Sequence, residues 1–294
     1  SDIGPHLMSW QQCDNGTALI DGADDGQMVE GHCDSATDGD MDIAYALLCA
    51  DKVWGSEGEF DYKTLAVDMI NDIMTYEISQ ETFLPTLGDW CYGIDESSDY
   101  YNATRSSDFI MSHFPAFYEA TGDERWNYVY ENTYTLINQG VDDYQTGLLP
   151  DFWIWDSETK EYSPAYSYLL EDVSDGYYGY NSCRTPWRIG ADYLINENET
   201  AKKFAEAINS FIYEATNGQP ANIVAGYNLD GTNAVFYDDL CFVSPFLITA
   251  ECCDNGEWEE SLRKRIISRS RDCYFGDCIK MIVLLLYNDI YIVP

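Results

Sequence analysis

Apolar residues recur at helical spacing along almost the whole chain, and this periodicity restricts the fold more than any other feature. Ile43, Leu47, Ala50 and Trp54 stand at i, i+4, i+7 and i+11, which predicts one apolar stripe turned toward a core. Similar stripes occur at Leu65, Met69, Ile70 and Ile73, at Trp126, Val129, Leu136 and Ile137, and at Phe204, Ile208, Phe211 and Ile212. Further helices are expected around Phe242 to Thr249, along Trp258, Leu262 and Ile266, and from Cys278 to Tyr287. Alternating runs of comparable length, which would mark strands, are missing from the sequence. Loops rich in Gly, Pro, Asn and Asp separate the helices: Asp21 to Gly26, Ser97 to Asn102, Tyr144 to Pro150, Asn217 to Pro220 and Asn228 to Thr232. Many antiparallel helices in one unit predict an all-α fold of helical hairpins closed into a toroid, its functional loops gathered at one end. Periodicity alone does not separate a toroid from a bundle or a solenoid, and there is no repeat of fixed length. With 294 residues, 46% of them hydrophobic, and no break in composition, the expected organisation is one domain over 1–294.

Charge excludes whole classes of partner. Fifteen basic against 52 acidic residues give a formal net charge of -37, which repels nucleic acid and anionic membrane surfaces. The same surface attracts cationic polymers and is indifferent to neutral polysaccharides. Aromatic residues make up 15% of the chain, which suits stacking against the apolar faces of sugar rings as well as core packing. The ten cysteines, Cys13 among them, include no C-x-x-C pair, so no metal is expected, and residues such as Cys49 read as small buried hydrophobes. The run from Met281 to Tyr287 is too short to span a bilayer. His6, His32 and His113 lack metalloprotease spacing and read as structural, and no nucleophile elbow or phosphate loop is present, so no cofactor is implied. Asn15, Asn102 and Asn198 head glycosylation sequons.

The most informative stretch is Ala36-Thr37-Asp38-Gly39-Asp40-Met41-Asp42-Ile43, running on to Trp54. Thr37 followed three positions later by Asp40 predicts a capping box, with Asp38 in the first helical turn, where the backbone amides and the helix dipole keep its carboxylate charged. The Asp-x-Asp-x-Asp spacing resembles a calcium loop, but Ile43 takes the place of the required glycine and Cys49 that of the bidentate glutamate.

Taken whole, this string resembles the signature of glycoside hydrolase family 8. A second family-like block is Tyr180-Asn181-Ser182-Cys183-Arg184-Thr185-Pro186-Trp187-Arg188, and shorter echoes occur in order at Leu7-Met8-Ser9-Trp10, Gly88-Asp89-Trp90, Gly147-Leu148-Leu149-Pro150-Asp151 and Tyr274-Phe275-Gly276-Asp277. The resemblance implies an (α/α)6 barrel, a secreted protein, and hydrolysis of a β-linked polysaccharide or oligosaccharide with inversion. Two carboxyl groups about 6.5–9.5 Å apart share that chemistry, one protonating the leaving oxygen and one activating water. Asp38 matches the family aspartate that holds and distorts the sugar at the cleavage subsite.

The family's general acid is a glutamate in a Ser-Glu-Gly-like motif on an earlier helix, and no such motif precedes Asp38. Glu30 is the glutamate upstream, in a loop-like context that does not fit the role. The Leu7-Met8-Ser9-Trp10 match falls past the acid-bearing hairpin, so the barrel is expected to lack its first hairpin and to expose an apolar flank through which copies self-associate. Where one branch of the family carries a basic Asp, this chain has Asn181, which can position water but not accept its proton. In the chitosanase and lichenase branch a glutamate of the preceding loop is the base, and Glu171 is the best match, with Asp172 and Glu161 behind it. The resemblance further implies Trp10 and Trp90 as sugar platforms, Tyr180, Arg184 and Tyr274 as cleft residues, and Trp153 and Trp155 as possible extensions. The expected function is an inverting endo-β-1,4-glucanase of the cellulase or lichenase type. Chitosanase or xylanase activity, and non-catalytic oligosaccharide binding, stand as alternatives.

Overall fold

In the computed structural model residues 1–11, 33–269 and 273–294 are described; Cys13, Asn15, the Asp21 to Gly26 loop, Glu30 and His32 lie outside them. Helices form where the spacing places them: α1 Thr37–Trp54, α2 Tyr62–Asp72, α3 His113–Thr121, α4 Arg125–Tyr144, α5 Thr185–Asn196 and α6 Glu199–Thr216, then α7 Leu240–Val243, α8 Phe246–Cys252, α9 Gly256–Ser268 and α10 Tyr274–Tyr287. Local chemistry sets several ends. Asn198 caps α6 by accepting from the amides of Thr200 and Ala201, and Gly122 ends α3 in the left-handed region at φ 70°. The run expected as one helix from Phe242 to Thr249 is two, because Pro245 between α7 and α8 has no amide hydrogen to donate.

Neighbouring helices pack as hairpins, α1 on α2, α3 on α4, α5 on α6 and α8 on α9, while α8 also touches α5 and α10. One buried apolar cluster runs from Leu7 through Trp126, Phe204 and Phe246 to Leu286. This is the α/α toroid of the sequence reading, with two corrections. A three-stranded antiparallel sheet pairs β1 Thr104–Arg105, which precedes α3, with β2 Phe152–Asp156 and β3 Glu161–Pro164, which fall between α4 and α5 in the chain. Its strands are too short to show alternation, and β2 is covered on both sides at Phe152 and Trp153, so its sequence has no polar face to report.

The second correction concerns α1. The stripe expected to face the core is largely open, with Ile43 38% and Trp54 73% exposed, and the core face is the opposite one, Met41, Ala44, Tyr45 and Leu48. A helix apolar on two faces carries two candidate stripes, and spacing does not rank them. Between α1 and α10 runs a groove of about 380 Å³ lined by Tyr45, Ala46, Cys49, Ile282 and Leu285, along which Tyr291 and Ile292 lie. The chain end is tied there by Cys49 Sγ donating to the Ile292 carbonyl at 3.3 Å and Lys52 Nζ to the Val293 carbonyl at 2.9 Å. Among the described residues no helix is long and apolar enough to cross a membrane.

Candidate active site

The starts of α1, α3, α5 and α10 meet at one end of the molecule, and Asp38 stands at their junction. Helix α1 begins one residue earlier than the capping box predicts: Ala36 is the N-cap, and the Thr37 hydroxyl donates to the Thr86 carbonyl at 2.7 Å instead of closing onto its own helix. Asp38 is still in the first turn. Arg184 Nη1 donates to its Oδ2 at 2.6 Å, Arg188 Nη1 reaches the same oxygen at 3.4 Å, and Arg105 Nη2 lies 3.4 Å from Oδ1. Burial alone would raise its pKa, but the guanidinium groups of Arg105, Arg184 and Arg188 outweigh burial and hold the carboxyl well below the usual range. Asp38 is a fixed anion.

The arginines are held in turn. Arg105 Nε donates to Asp108 Oδ1 at 3.0 Å, and burial raises Asp108 to about 6 against the pull of that arginine. Arg188 Nη2 donates to Asp42 Oδ2 at 2.8 Å and its Nη1 to the Ser107 carbonyl. Asp42 Oδ1 meets His113 Nε2 at 3.1 Å, and the His113 ring stacks on Tyr45 with centroids 3.8 Å apart. Burial lowers the pKa of His113, which sits among packed rings as a structural histidine. Neither Arg105 nor Asp108 is singled out in the sequence, and Asp42 enters there only as the third aspartate of the calcium-loop spacing. Arg188 lay inside a quoted block without a role, and Arg105-Ser-Ser-Asp108 matches no signature that could have flagged it.

From Arg184 a continuous chain of hydrogen bonds leads to the expected base. Its Nη2 donates to Asn181 Oδ1 at 2.9 Å and its Nε to the Asn181 carbonyl at 3.2 Å, while Asn181 Nδ2 donates to Glu171 Oε2 at 2.8 Å. Asp38, Arg184, Asn181 and Glu171 are thus linked side chain to side chain. Asp172 turns back to the amide and hydroxyl of Ser174, both at 2.6 Å, and Glu161 is on β3, paired with Asp156. Of the carboxylates weighed as base, Glu171 is the one joined to this chain. Its orientation fixes the Asn181 amide: the oxygen faces the arginine and the nitrogen faces the glutamate.

The aromatic residues divide. Trp10 is 46% exposed and is brought beside the start of α1 by its amide, which donates to the Asp34 carbonyl at 3.0 Å. Tyr180 is 39% exposed, packed edge-on to Phe242 at 5.0 Å, and Tyr274 is 88% exposed at the start of α10, where the next residue, Phe275, lies under the Arg184 guanidinium. Trp90 departs from expectation. It is 5% exposed, packs edge-on to Tyr100 at 5.3 Å and belongs to a small cluster with Leu169, so its ring backs the Glu171 loop rather than offering an open platform. Trp153 is fully buried with its Nε1 donating to Ser106 Oγ at 2.9 Å, and Trp155 packs on Tyr162; the strand turns both inward.

Behind Asp38 lies a buried acidic group. Met8 N donates to Asp40 at 2.9 Å, Ser35 Oγ to Glu77 at 2.6 Å and Ser35 N to Asp89 at 2.9 Å. Burial raises Asp40 to about 7 and, together with the neighbouring Asp40 charge, raises Glu77 well above the usual range. A proton resident on Glu77 lets it donate to Asp40, which satisfies both carboxyls.

Helical hairpins closed into a toroid, with carboxylates and guanidinium groups at the end where alternate helices begin, define the class of α/α-toroid glycoside hydrolases. Residues 6–289 match the family model described as glycosyl hydrolases family 8, and the chain belongs to that family. It is 41% identical over 285 residues to a protein of Niallia circulans named beta-glucanase, covering 96% of this chain and 66% of that one. It is 36% identical to an endoglucanase of Bacillus sp. (strain KSM-330), covering 97% of this chain and 58% of the relative. The chain therefore spans less than two thirds of the length of these relatives. Among solved structures, the apo beta-1,3-1,4-glucanase from Paenibacillus sp. X4 superposes with a TM-score of 0.90 at 38% identity, covering 99% of this chain and 73% of the other. Rex8A from Paenibacillus barcinonensis, at 14% identity and a TM-score of 0.74, shares the fold.

Proposed function

We propose that this chain carries the water-activating half of an inverting endo-β-glucanase site. Glu171 is the general base, Asn181 orients the attacking water beside it, and Asp38 holds the sugar ring at the cleavage subsite. The observation that carries this reading is the unbroken link Asp38–Arg184–Asn181–Glu171, which fixes the ring-binding anion and the base in one rigid frame. In the reaction, a water oxygen bonds to C1 of the glycosyl unit from the face opposite the leaving oxygen, the C1–O bond breaks, and Glu171 takes the water's proton. No residue of this chain is assigned to protonating the leaving group. Trp10, Tyr180 and Tyr274 offer exposed rings for stacking on the flanking sugars.

The substrate class is a neutral β-1,4-linked or mixed-linkage glucan. The names beta-glucanase, endoglucanase and beta-1,3-1,4-glucanase borne by the relatives support it. A net charge of -37 favours a second reading, cleavage of cationic chitosan, which Asn181 also suits. We further take 1–294 as one domain of a secreted protein that pairs with a second copy through the open face of α1, a reading supported by the exposed Ile43 and Trp54.

The deciding experiment supplies a substrate that leaves without an acid. With 2,4-dinitrophenyl β-cellotrioside the chain is expected to release phenolate and to give the α-anomer first, seen by proton NMR, and E171A is expected to abolish turnover. A β-anomer as first product removes inversion. Binding of cellohexaose by calorimetry with no turnover of the aryl glycoside makes the chain an oligosaccharide-binding protein. Turnover of aryl chitosan oligosaccharides alone moves the substrate to the chitosan class.

A further inference from the structure

The loop that presents Glu171 is irregular, and an irregular segment is fixed by where its backbone donors go. Three consecutive amides of this loop converge on one buried carboxylate. Asp175 Oδ2 accepts from Leu170 N at 2.8 Å and from Glu171 N at 3.1 Å, and Asp175 Oδ1 accepts from Asp172 N at 2.9 Å. Asp175 is 1% exposed, and its own carbonyl accepts from Phe152 N of β2 at 2.8 Å. One residue earlier in the same strand region, Asp151 does the same for Asn181. Its Oδ1 accepts from the amides of Gly179 at 3.0 Å, Asn181 at 3.2 Å and Ser182 at 2.6 Å, and from Ser182 Oγ at 2.7 Å. The Asp151 amide in turn donates to the Tyr177 carbonyl at 2.7 Å.

Glu171 and Asn181 are thus each clamped through their backbones by a buried carboxylate, and both clamps are bonded to adjacent residues at the start of β2. We infer that Asp175 and Asp151 are positioning residues that set the separation of Glu171 from Asn181 and hence the place of the attacking water. The strand supplies a common ruler: Asp151 is its neighbour in sequence, and Asp175 is hydrogen-bonded to the next residue, Phe152. Backbone clamping is what this base requires, because the side chain of Glu171 is tied at one oxygen by Asn181 and its other oxygen must stay open to water. Moving a reacting group by about 1 Å costs on the order of a hundredfold in rate.

This inference rests on Glu171 being the base, and the test separates the two. On 2,4-dinitrophenyl β-cellotrioside, D175A is expected to lower kcat by roughly 10- to 100-fold with KM unchanged within about twofold, because the clamp touches no sugar. Azide, which attacks C1 without a base and leaves as the α-glycosyl azide, is expected to restore turnover in D175A and in E171A alike. D175N, which keeps one acceptor oxygen, is expected to retain more of the rate, and it carries the comparison if D175A fails to fold; D151A, which removes the one oxygen that all four donors share, is expected to lower kcat in the same manner. Wild-type kcat in both D175N and D151A overturns the inference while E171A remains inactive. A loss of rate that azide does not rescue, accompanied by a raised KM, also overturns it, since that is the mark of general disorder. Wild-type turnover by E171A removes the base and the clamps together.

Discussion

Replacing Arg184 by Met removes the centre of the link between Asp38 and Glu171, and its cost can be worked from the contacts. The guanidinium makes a 2.6 Å ion pair with Asp38 and bonds of 2.9 and 3.2 Å to Asn181, with side-chain exposures of 13% for Arg184 and 16% for Asp38, so solvent screens the pair little. A hydrogen bond to a charged group contributes about 1.5–3 kcal/mol. Arg105 and Arg188, each 3.4 Å from Asp38, stay behind and keep its charge compensated. The expected loss is therefore about 2–3 kcal/mol of folding stability, below the 3–5 kcal/mol of a buried charge left alone. With Asn181 released, kcat on the aryl glycoside is expected to fall by on the order of a hundredfold. R184K separates the two effects: one ammonium can reach Asp38 but cannot also hold Asn181, so most of the stability returns and most of the rate does not. The stability difference also has a pH signature. A carboxylate held below its usual value of 3.8 contributes stability above that value and loses it as pH falls through the lowered one. The gap between wild type and R184M is thus full near neutrality and closes in strong acid. Urea melts at pH 7 and pH 3 with parallel kinetics make the test. An R184M protein within about 0.5 kcal/mol of wild type, with unchanged kcat, would refute the reasoning.

Asp40 and Glu77 titrate in the opposite sense: burial raises both, so their contribution is present below about pH 4 and lost as pH rises through about 7 and beyond. Wild type should melt at a higher temperature at pH 5 than at pH 8.5, and E77Q should narrow that difference; a melting temperature rising steadily to pH 8.5 counts against the buried proton. Gly179 has no room for a side chain, since a Cβ there would stand 2.4 Å from Asp151 Oδ2, and G179A should cost about 1–3 kcal/mol in a urea melt and lower kcat with it. Light scattering over a concentration series should show a dimer that I43E with W54E dissolves, and a monomer at every concentration would remove the proposed pairing.

The helices and their order were legible because burial imprints a 3.6-residue period whatever the tertiary partner. The buried face of α1 was not, since Ile43, Leu47, Ala50 and Trp54 form as good a stripe as Met41, Ala44, Tyr45 and Leu48, and neighbouring elements decide between them. Asp38, Asn181, Arg184 and Glu171 could be picked out because they sit in or near strings of family pattern, and the structure brings them together. Arg105, Asp108 and Asp175 carry no local signature as site residues, and Asp151 closes a family-like string with nothing in it to mark a role. Their importance is in which groups they hold, near in sequence for Asp175 and Asp172 and 67 residues away for Arg105 and Asp38, and residue type and spacing do not display that. Trp90 and Trp153 went the other way: their type suggested sugar contact, and packing covers both.

The contacts that build the site join residues 67, 146 and 150 positions apart. Closing loops of that length costs chain entropy before the contacts form, so the arginine cage is expected to assemble after the local hairpins. A single nick in an exposed loop between Asp38 and Arg184 would leave most helices intact yet loosen the cage. Circular dichroism would then report a nearly native protein while ligand binding had already gone, which makes function a more sensitive gauge of this chain's integrity than its helix content.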